Sequence, residues 1–327
     1  MKESDKRREK NMVIGITGAT GGLGRRMSEI LLERGYEIRC LVRRNSKHDF
    51  LVKEGIELVY GDICDFNTLE SFVAGLDVCI HLAAQVSSAS KKVLEQVNAG
   101  GTKNICEALS QYNPSCRFLY CSSIVARNYK AYKKPLYSYY TISKYKAEKV
   151  VEQYMNSLRA TIIYPGYIYG YYDKVFMPMI IKMLKGGLDF LVKGGEKNVP
   201  IVFVDDLCEL FIQSMDNDKA IGKKYVSLEE NPVGVHDVVK IVAKRLGYKY
   251  PEKVYSKMVI RARMRINKIL NAIFKTNRPV LSLREINILS NHAIYFNNAA
   301  KDIQWKQKMN VKDGINLAVD IYVKNIK

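Results

Sequence analysis

The chain has 327 residues, of which 52 are Lys or Arg and 33 are Asp or Glu, so its formal net charge is +19 at pH 7. A hydrophobic fraction of 47% can fill a large core, which excludes disorder as the main state of the chain. So large a positive charge first suggests a nucleic acid or an anionic membrane as partner, and the positions of the cations decide between such readings.

The seven cysteines are scattered singly, without a C-x-x-C pair. They are Cys40, Cys64, Cys79, Cys106, Cys116, Cys121 and Cys208. This pattern matches neither a zinc site nor a disulfide framework, so we predict no metal and a reducing, cytoplasmic setting. No apolar run reaches the roughly 18–20 residues that cross a bilayer, and the charged N-terminus lacks the apolar core of a signal peptide. A soluble or at most peripheral protein is therefore predicted.

Short apolar runs alternate with longer amphipathic stretches from Met12 onward. Six runs rich in β-branched or aromatic residues are predicted as strands: Val13–Thr17, Glu37–Val42, Glu57–Tyr60, Val78–Leu82, Arg117–Cys121 and Ala160–Tyr164. Helical spacing of apolar residues predicts a helix that stops at Gly35, and two further helices are predicted over Val93–Tyr112 and Tyr139–Asn156. Strands separated by such helices imply right-handed crossovers and a parallel sheet covered on both faces.

A glycine-rich turn, Thr17-Gly18-Ala19-Thr20-Gly21-Gly22-Leu23-Gly24, joins the first strand to the first helix. Glycines let a pyrophosphate approach the backbone, and the helix N-terminus offers it oriented N–H groups, although an ordinary strand-to-helix turn is the alternative. The predicted cofactor-binding residues of this turn are Gly18, Thr20, Gly21, Gly22, Leu23 and Gly24.

The alternation of strands and helices weakens beyond about Tyr171, where Lys185–Pro200 is predicted as a Gly-rich turn region and Val254–Asn277 as a long basic helix. We therefore predict an α/β fold in two parts. Residues 12–172, with return segments near 201–216, form a Rossmann-type doubly wound parallel sheet that binds the dinucleotide. Residues 173–327 form a smaller C-terminal lobe that mainly binds substrate.

The second predicted strand ends in Arg43 and Arg44 and not in an acid. An Asp or Glu at this point holds the ribose hydroxyls of NAD, whereas Arg accommodates the additional phosphate of NADP. The two arginines therefore favour NADP(H) over NAD(H). A solvated basic loop is the alternative reading.

A second cluster follows the fifth predicted strand. Ser122 and Ser123 end that strand, and Tyr140 and Lys144 lie four residues apart, on one face of the next helix. An ammonium beside a phenol lowers the pKa of the phenol, and a serine hydroxyl can orient a substrate oxygen. The spacing of Tyr and Lys is a weak signal in a chain with 22 tyrosines, and the order of loop, Ser, Tyr and Lys makes it informative.

Together these residues resemble the extended short-chain dehydrogenase/reductase superfamily, in its NAD-dependent epimerase/dehydratase group, from about Met12 to Val323. The further motifs that carry the resemblance are Asp62-Ile63, His81-Leu82-Ala83-Ala84, Asn98, Tyr164-Pro165-Gly166, Val202–Leu207, Tyr295–Ile303 and Val311–Ile315. The resemblance implies that Asp62 and Ile63 contact adenine. It also implies that Leu82, Ala83 and Ala84 lie along the cofactor and that the region of Pro165 faces the nicotinamide.

The resemblance further implies roles in catalysis. Tyr140 would be the general acid/base, Lys144 its pKa modulator and ribose anchor, and Ser123 the polariser of the reacting oxygen, with Ser122 as a structural neighbour. The chemistry would be hydride transfer between the cofactor and an alcohol or ketone carbon of a small molecule. Relatives with this fold are often homodimers.

Departures from the family pattern select among its branches. Ile124, Val125 and Ala126 stand where dehydratases carry Thr-Asp-Glu beside the serine, and Tyr164 stands where Arg often precedes the proline. We therefore predict an NADP(H)-preferring oxidoreductase of the reductase or hydroxysteroid-dehydrogenase-like branches, acting on a sugar, a sterol-like or a flavonoid-like molecule. The alternatives are a nucleotide-sugar epimerase with tightly bound NAD and a non-enzymatic dinucleotide sensor.

Part of the positive charge is concentrated between Glu252 and Arg284. Nine basic residues lie there against the single acid Glu252: Lys253, Lys257, Arg261, Arg263, Arg265, Lys268, Lys275, Arg278 and Arg284. Apolar residues recur among them at helical spacing: Val259, Ala262, Ile266, Ile269, Leu270 and Ile273. Three roles are open for this amphipathic helix: a solvated outer face, a peripheral contact with anionic lipid, or a lid over substrate phosphates. No aromatic residues alternate with the cations and no nucleic-acid motif is present, so no nucleic-acid partner is predicted.

Overall fold

The computed structural model describes residues 12–86, 89–129, 138–276, 280–290 and 302–324, without the side chain of Arg284. The strands are β1 (Val13–Thr17), β2 (Glu37–Val42), β3 (Ile56–Tyr60), β4 (Val78–His81), β5 (Arg117–Cys121), β6 (Thr161–Pro165), β7 (Tyr167–Tyr169), β8 (Phe190–Val192), β9 (Ile201–Phe203), β10 (Lys224–Ser227) and β11 (Lys253–Tyr255). The helices are α1 (Gly22–Glu33), α2 (Glu70–Val73), α3 (Lys91–Leu94), α4 (Gly101–Tyr112), α5 (Ile124–Arg127), α6 (Tyr139–Gln153), α7 (Phe176–Lys185), α8 (Val204–Met215), α9 (Val235–Leu246), α10 (Lys257–Phe274), α11 (Leu283–Ile288) and α12 (Val311–Lys324).

The chain divides into two compact units. The described residues of the first unit fall within Met1–Gly166, Asp205–Ser227 and Asn297–Lys306, and those of the second within Tyr167–Val204, Leu228–Phe296 and Gln307–Lys327. The division by contacts lies at Gly166, six residues before the predicted boundary at position 172. The assignment of cofactor to one part and substrate to the other stays a prediction.

A seven-stranded sheet forms the centre of the first unit, in the order β10-β6-β5-β4-β1-β2-β3. All six neighbouring pairs are parallel. The strands β4 and β5 are apolar and buried almost throughout, as expected for a sheet with both faces covered. The chain order reverses between β1 and β4, which brings the carboxyl ends of these strands together at a switch point. The predicted doubly wound parallel sheet is confirmed.

The second unit is built from helices with two short parallel strand pairs. β8 pairs with β11, and β7 pairs with β9. Its apolar core joins α7, α9 and α12, which contribute Ile180, Val238 and Ile315 among other buried residues. The buried Tyr169 hydroxyl donates a hydrogen bond of 2.7 Å to Glu229 Oε1.

Two predictions for the second unit are wrong in part. The Gly-rich turn region Lys185–Pro200 contains the strand β8, whose three side chains are buried. The predicted helix Val254–Asn277 starts too early, because Lys253–Tyr255 pair with β8 and Ser256 then caps α10 by accepting a hydrogen bond from the Val259 N–H. Asn277 lies outside the described residues.

In the first unit, β10 was missed by the sequence reading, and the predicted helix Val93–Tyr112 is not uniform. A π-helical segment, Glu95–Gly100, separates α3 from α4. Such segments place one extra residue in a turn and often occur at functional sites. Of the predicted closing motif Tyr295–Ile303, only the last two residues belong to the described part of the chain.

The single tryptophan of the chain gives a reporter for the first unit. Trp305 is fully buried and its Nε1–H donates to the Asp206 carbonyl oxygen at 3.1 Å. We predict that its emission is blue-shifted in the native protein and moves to the red in urea. Trp305→Phe should lower the free energy of unfolding by about 1–3 kcal/mol, because it opens a cavity and removes a hydrogen bond. Unfolding of the variant is followed by circular dichroism, and a solvent-like native emission would contradict this placement.

Candidate active site

The turn between β1 and α1 admits only glycine at two positions. Gly18 has φ +76°, and a Cβ there would lie 2.6 Å from the backbone nitrogen of Ala83. A Cβ on Gly24 would lie 2.2 Å from the carbonyl oxygen of Gly18. The N-cap of α1 is Gly21, which offers no capping side chain, and its first turn contains no acid. The first N–H groups and the positive end of the helix therefore suit an anion such as a pyrophosphate.

The predicted adenine pair follows β3 in a turn held by its own hydrogen bonds. Asp62 Oδ1 accepts from the Cys64 N–H at 2.9 Å. Ile63 is buried against Gly101, where a Cβ would lie 2.6 Å from Ile63 Cδ1, and Asn104 Nδ2 donates to the Ile63 carbonyl at 2.8 Å. The helix α4 thus fixes the position of this turn beside the sheet.

Arg43 and Arg44 are both exposed at the carboxyl end of β2. The Ser46 hydroxyl closes this turn by donating to the Arg43 carbonyl at 2.7 Å. The Arg44 guanidinium lies 4.8 Å from the centre of the Tyr60 ring. Within the described residues neither guanidinium forms an ion pair, so both charges are available to an anion.

A buried histidine connects the glycine turn to α4. The Thr17 hydroxyl lies 2.6 Å from His81 Nδ1, and His81 Nε2 lies 3.0 Å from the Thr102 hydroxyl. Thr102 donates to the Asn98 carbonyl at 2.6 Å, so it must accept from His81, which assigns the ring proton to Nε2 and the donor role to Thr17. Thr17 in turn accepts from the Ala83 N–H at 3.3 Å. Burial lowers the pKa of His81 to about 3, with a smaller effect of the Lys144 charge.

Asn98 continues this connection to the helix that carries the predicted tyrosine and lysine. It lies in the π-helical segment and is 1% exposed. Its Oδ1 accepts from the Gln85 N–H at 2.7 Å, and its Nδ2 donates to the Ser143 hydroxyl at 2.8 Å. Ser143 donates to the Tyr140 carbonyl at 2.9 Å. Asn98 therefore ties the loop after β4 to α6, a function that the sequence motif alone does not reveal.

Lys144 is buried below the end of β5. Its Nζ donates to the Cys121 carbonyl at 2.7 Å and lies 4.4 Å from the centre of the Tyr120 ring. Burial lowers the pKa of Lys144 to about 8, and the negative charge of Glu148 acts in the opposite direction. Tyr140, one turn earlier on α6, is half-buried.

The two serines after β5 occupy different environments. Ser122 is 3% exposed and its hydroxyl lies 3.4 Å from Glu148 Oε2, so it belongs to the interior. Ser123 is half-buried and stands at the N-cap of α5, where its side chain makes no capping hydrogen bond. The helix α5 packs against α6. This arrangement favours Ser123 over Ser122 as the serine that meets substrate.

Glu148 is a buried carboxylate that the sequence reading did not single out. Tyr164 donates to its Oε1 at 2.6 Å, and Lys224 Nζ lies 3.6 Å from the same oxygen. Tyr164 thus acts as a neutral donor to Glu148 at the position where relatives often carry Arg. Pro165 follows it as the buried last residue of β6, in register with Ser227.

Among the described residues, no group of three His, Cys, Asp or Glu side chains is arranged to hold a metal ion. All seven cysteines are free thiols. No helix in the described part of the chain combines the length and the apolar composition that crossing a membrane requires.

The model of the NAD dependent epimerase/dehydratase family matches residues 14–226, which contain the central sheet except for Val13 and Ser227 at its two ends. The chain belongs to this family. The predicted family and an enzyme of the extended short-chain dehydrogenase type are thereby confirmed. Binding of a nicotinamide dinucleotide is shared by the family, whereas the preference for NADP over NAD stays a prediction.

Curated relatives include reductases and dehydrogenases. A ceramide reductase of Caulobacter vibrioides is 34% identical over 48% of this chain and 47% of that protein, so the match spans about half of each. The short-chain dehydrogenase/reductase family 42E member 1 of Macaca fascicularis is 26% identical over 75% of this chain and 70% of that protein. A decarboxylating sterol-4-alpha-carboxylate 3-dehydrogenase of Mus musculus is 26% identical over 72% of this chain and 69% of that protein.

Solved structures share the fold over nearly the full chain. The crystal structure of gox2253 matches with a TM-score of 0.77 and 24% identity, over 96% of this chain and 99% of that one. The Bordetella bronchiseptica enzyme WbmH, solved in complex with NAD+, matches with a TM-score of 0.71 and 18% identity, over 96% of this chain and 99% of that one. At sequence identities of 24% and 18%, similarity to these structures establishes only the shared fold.

The buried His81 makes stability depend on pH. Below pH 6.5 the unfolded chain takes up a proton that the folded chain accepts only near pH 3, so stability is retained above pH 6.5 and lost as pH falls through this window. Between pH 7 and 5 we expect this residue to lower the free energy of unfolding by about 2 kcal/mol. Urea unfolding measured at pH 7 and pH 5 should give a smaller change in the free energy of unfolding for His81→Gln than for the wild type. His48→Gln is the control, because His48 is a half-exposed histidine of the same unit. This variant should show the same change in the free energy of unfolding between the two pH values as the wild type.

Proposed function

We propose that the protein is an NADP(H)-preferring oxidoreductase that transfers a hydride between the nicotinamide and an alcohol or ketone carbon of an apolar, lipid-like small molecule. The observation that carries this proposal is the buried ammonium of Lys144, held by the Cys121 carbonyl one helical turn from Tyr140. Burial of a cation costs free energy that pairing and hydrogen bonds offset, and a buried ammonium favours negative charge on a nearby phenol or ribose oxygen.

The chain's own residues would handle the proton while the bound nicotinamide supplies or accepts the hydride. In the direction of reduction the Tyr140 hydroxyl donates its proton to the carbonyl oxygen, and in oxidation the phenolate accepts the proton of the alcohol. Ser123 donates a hydrogen bond to the same oxygen and orients it. Lys144, with a pKa of about 8, is mainly protonated at neutral pH, and it would stabilise the phenolate and hold the ribose hydroxyls.

The first unit carries all the residues that would hold the cofactor. The glycine turn with Gly18, Thr20, Gly21, Gly22, Leu23 and Gly24 would take the pyrophosphate. We assign adenine contacts to Asp62 and Ile63, and the flank of the cofactor to Leu82, Ala83 and Ala84. Pro165 would lie by the nicotinamide, and Arg43 with Arg44 would pair with the additional phosphate of NADP.

The names of two relatives support an apolar substrate. One is a ceramide reductase and the other a sterol-4-alpha-carboxylate dehydrogenase, so both act on lipids. We therefore place the substrate among apolar alcohols and ketones, the sterol-like option of the sequence analysis. The second unit, which contains none of the predicted cofactor residues, is proposed as the substrate lobe. A cytoplasmic homodimer stays a prediction.

Replacement of the phenol hydroxyl tests the proposed acid/base. Tyr140→Phe should reduce kcat by at least 100-fold, because general acid catalysis contributes about 10²–10⁴-fold. NADPH binding, followed by nicotinamide fluorescence, should change little. The neighbouring Tyr139→Phe is the matched control, since Tyr139 is 57% exposed on the same helix and should retain full turnover.

Turnover with a panel of apolar ketones and NADPH is the assay for this comparison. Full activity of Tyr140→Phe would refute the proposed role. Release of tightly bound NAD on denaturation, together with sugar interconversion without net use of cofactor, would replace the oxidoreductase by the nucleotide-sugar epimerase. Retention of dinucleotide binding without either activity would indicate a sensor.

Cofactor choice is tested at the end of β2. Removal of both guanidinium groups in Arg43→Ala/Arg44→Ala should weaken NADPH binding by roughly 10- to 100-fold and leave NADH binding nearly unchanged, since charge-assisted hydrogen bonds to a phosphate contribute about 1.5–3 kcal/mol. Dissociation constants for both nucleotides are measured by fluorescence titration. Lys53→Ala removes an exposed charge elsewhere on the first unit and serves as the control. An equal loss for NADH and NADPH would exclude phosphate recognition by these arginines.

A further inference from the structure

The exposed apolar side chains of the protein are concentrated in one segment of the second unit. Nine of the sixteen large hydrophobic side chains that are exposed in the described residues belong to it. They are Val254, Met258, Val259, Ile266, Ile269, Ile273, Phe274, Val280 and Leu283. Single exposed hydrophobics are ordinary, whereas a concentration of this kind marks an interaction surface.

The helix α10 has two apolar faces. One consists of Ile260 and Met264, which are buried in the core of the second unit. At 100° per residue, the opposite face carries Ile266, Ile269 and Ile273, whose side chains are 56%, 58% and 64% exposed. The apolar repeat recognised in the sequence is therefore mainly this outer face, and the three roles predicted for the helix stay open at this point.

Cations line the edge between these two faces. Arg261, Arg265 and Lys268 project from neighbouring turns, and all three are exposed. Within the described part of the chain none of them forms an ion pair. On the other edge, Arg263 is paired with Asp189 at 2.9 Å. The outer face of α10 thus combines a row of aliphatic side chains with a row of uncompensated positive charge.

We propose that the outer face of α10 binds an anionic membrane surface, with the helix lying in the plane of the interface. The aliphatic row of Met258, Ile266, Ile269 and Ile273 enters the boundary between head groups and acyl chains. The row of Arg261, Arg265 and Lys268 contacts lipid phosphates. Apolar area and attraction between opposite charges are the two terms that hold such helices on membranes, and this face supplies both.

Charge complementarity selects the membrane over the other occupants of this face. A second copy of the chain, packed face to face on the same helix, would add further cations to the contact, and α10 has no acid to neutralise them. A nucleic acid would meet the cations but leave the aliphatic row in water. The inference is independent of the proposed activity, because α10 carries none of the residues assigned to cofactor or catalysis.

Flotation of the full chain with vesicles tests the proposal. We expect binding to phosphatidylcholine vesicles that contain phosphatidylglycerol, weak binding to pure phosphatidylcholine, and release as salt is raised. Ile266→Asp/Ile269→Asp should lower the partition coefficient by roughly tenfold or more, because it places charge in the apolar row. Arg261→Glu/Arg265→Glu should remove the preference for anionic lipid.

Val52→Asp is the matched control. Val52 is 69% exposed on the first unit, apart from this face in the chain, and its variant should bind vesicles like the wild type. All variants should keep the far-ultraviolet circular dichroism of the wild type, which reports the helices of both units, so that a loss of vesicle binding is not a loss of folding. Absence of wild-type binding to anionic vesicles, or unchanged binding of Ile266→Asp/Ile269→Asp, would overturn the proposal. A solution dimer that dissociates in this variant, without vesicle binding, would assign the face to a second copy.

Discussion

The geometry of the candidate site depends on one line of buried hydrogen bonds. It starts at Thr17 in the glycine turn, passes through His81 and Thr102, and reaches α6 through Asn98. His81 accepts from Thr17 at Nδ1 and donates to Thr102 at Nε2, so the line holds only while the imidazole is neutral, and burial favours this state. The dinucleotide turn and the helix of the proposed acid/base are therefore positioned by the same interior network, and neither can shift alone.

Much of the first unit could be predicted from the sequence, because its strands and its glycine turn are encoded in short stretches of the chain. Three of the six predicted strands, Val13–Thr17, Glu37–Val42 and Arg117–Cys121, coincide with the structure, and the other three lie within one residue of it at each end. Apolar β-branched runs between helices leave the sheet few alternatives, and a glycine turn after β1 then fixes the cofactor end. The missed strand β10 has only the four residues Lys224–Ser227, too short a run to predict from sequence alone, and its pairing with β6 identifies it.

The remaining features depend on contacts between distant residues. Asn98 reads in the sequence as a helix residue, and its bonds to Gln85 and Ser143 arise only when three elements meet. Glu148 resembles a surface acid of α6 until Tyr164 reaches it from β6. In α10, periodicity identified the apolar row but could not tell which of two apolar faces the core selects, since Ile260 and Met264 are as apolar as Ile266 and Ile269.

The pairing of Tyr164 with Glu148 also determines where the charge of the site is balanced. An arginine at position 164 would bring a second buried cation to Glu148, whereas a tyrosine adds none. Glu148 stands one turn after Lys144 on α6 and favours its charged form. The ammonium and a carboxylate that favours its charged form thus belong to one helix. Because both groups belong to α6, a motion of the surrounding loops does not by itself separate them.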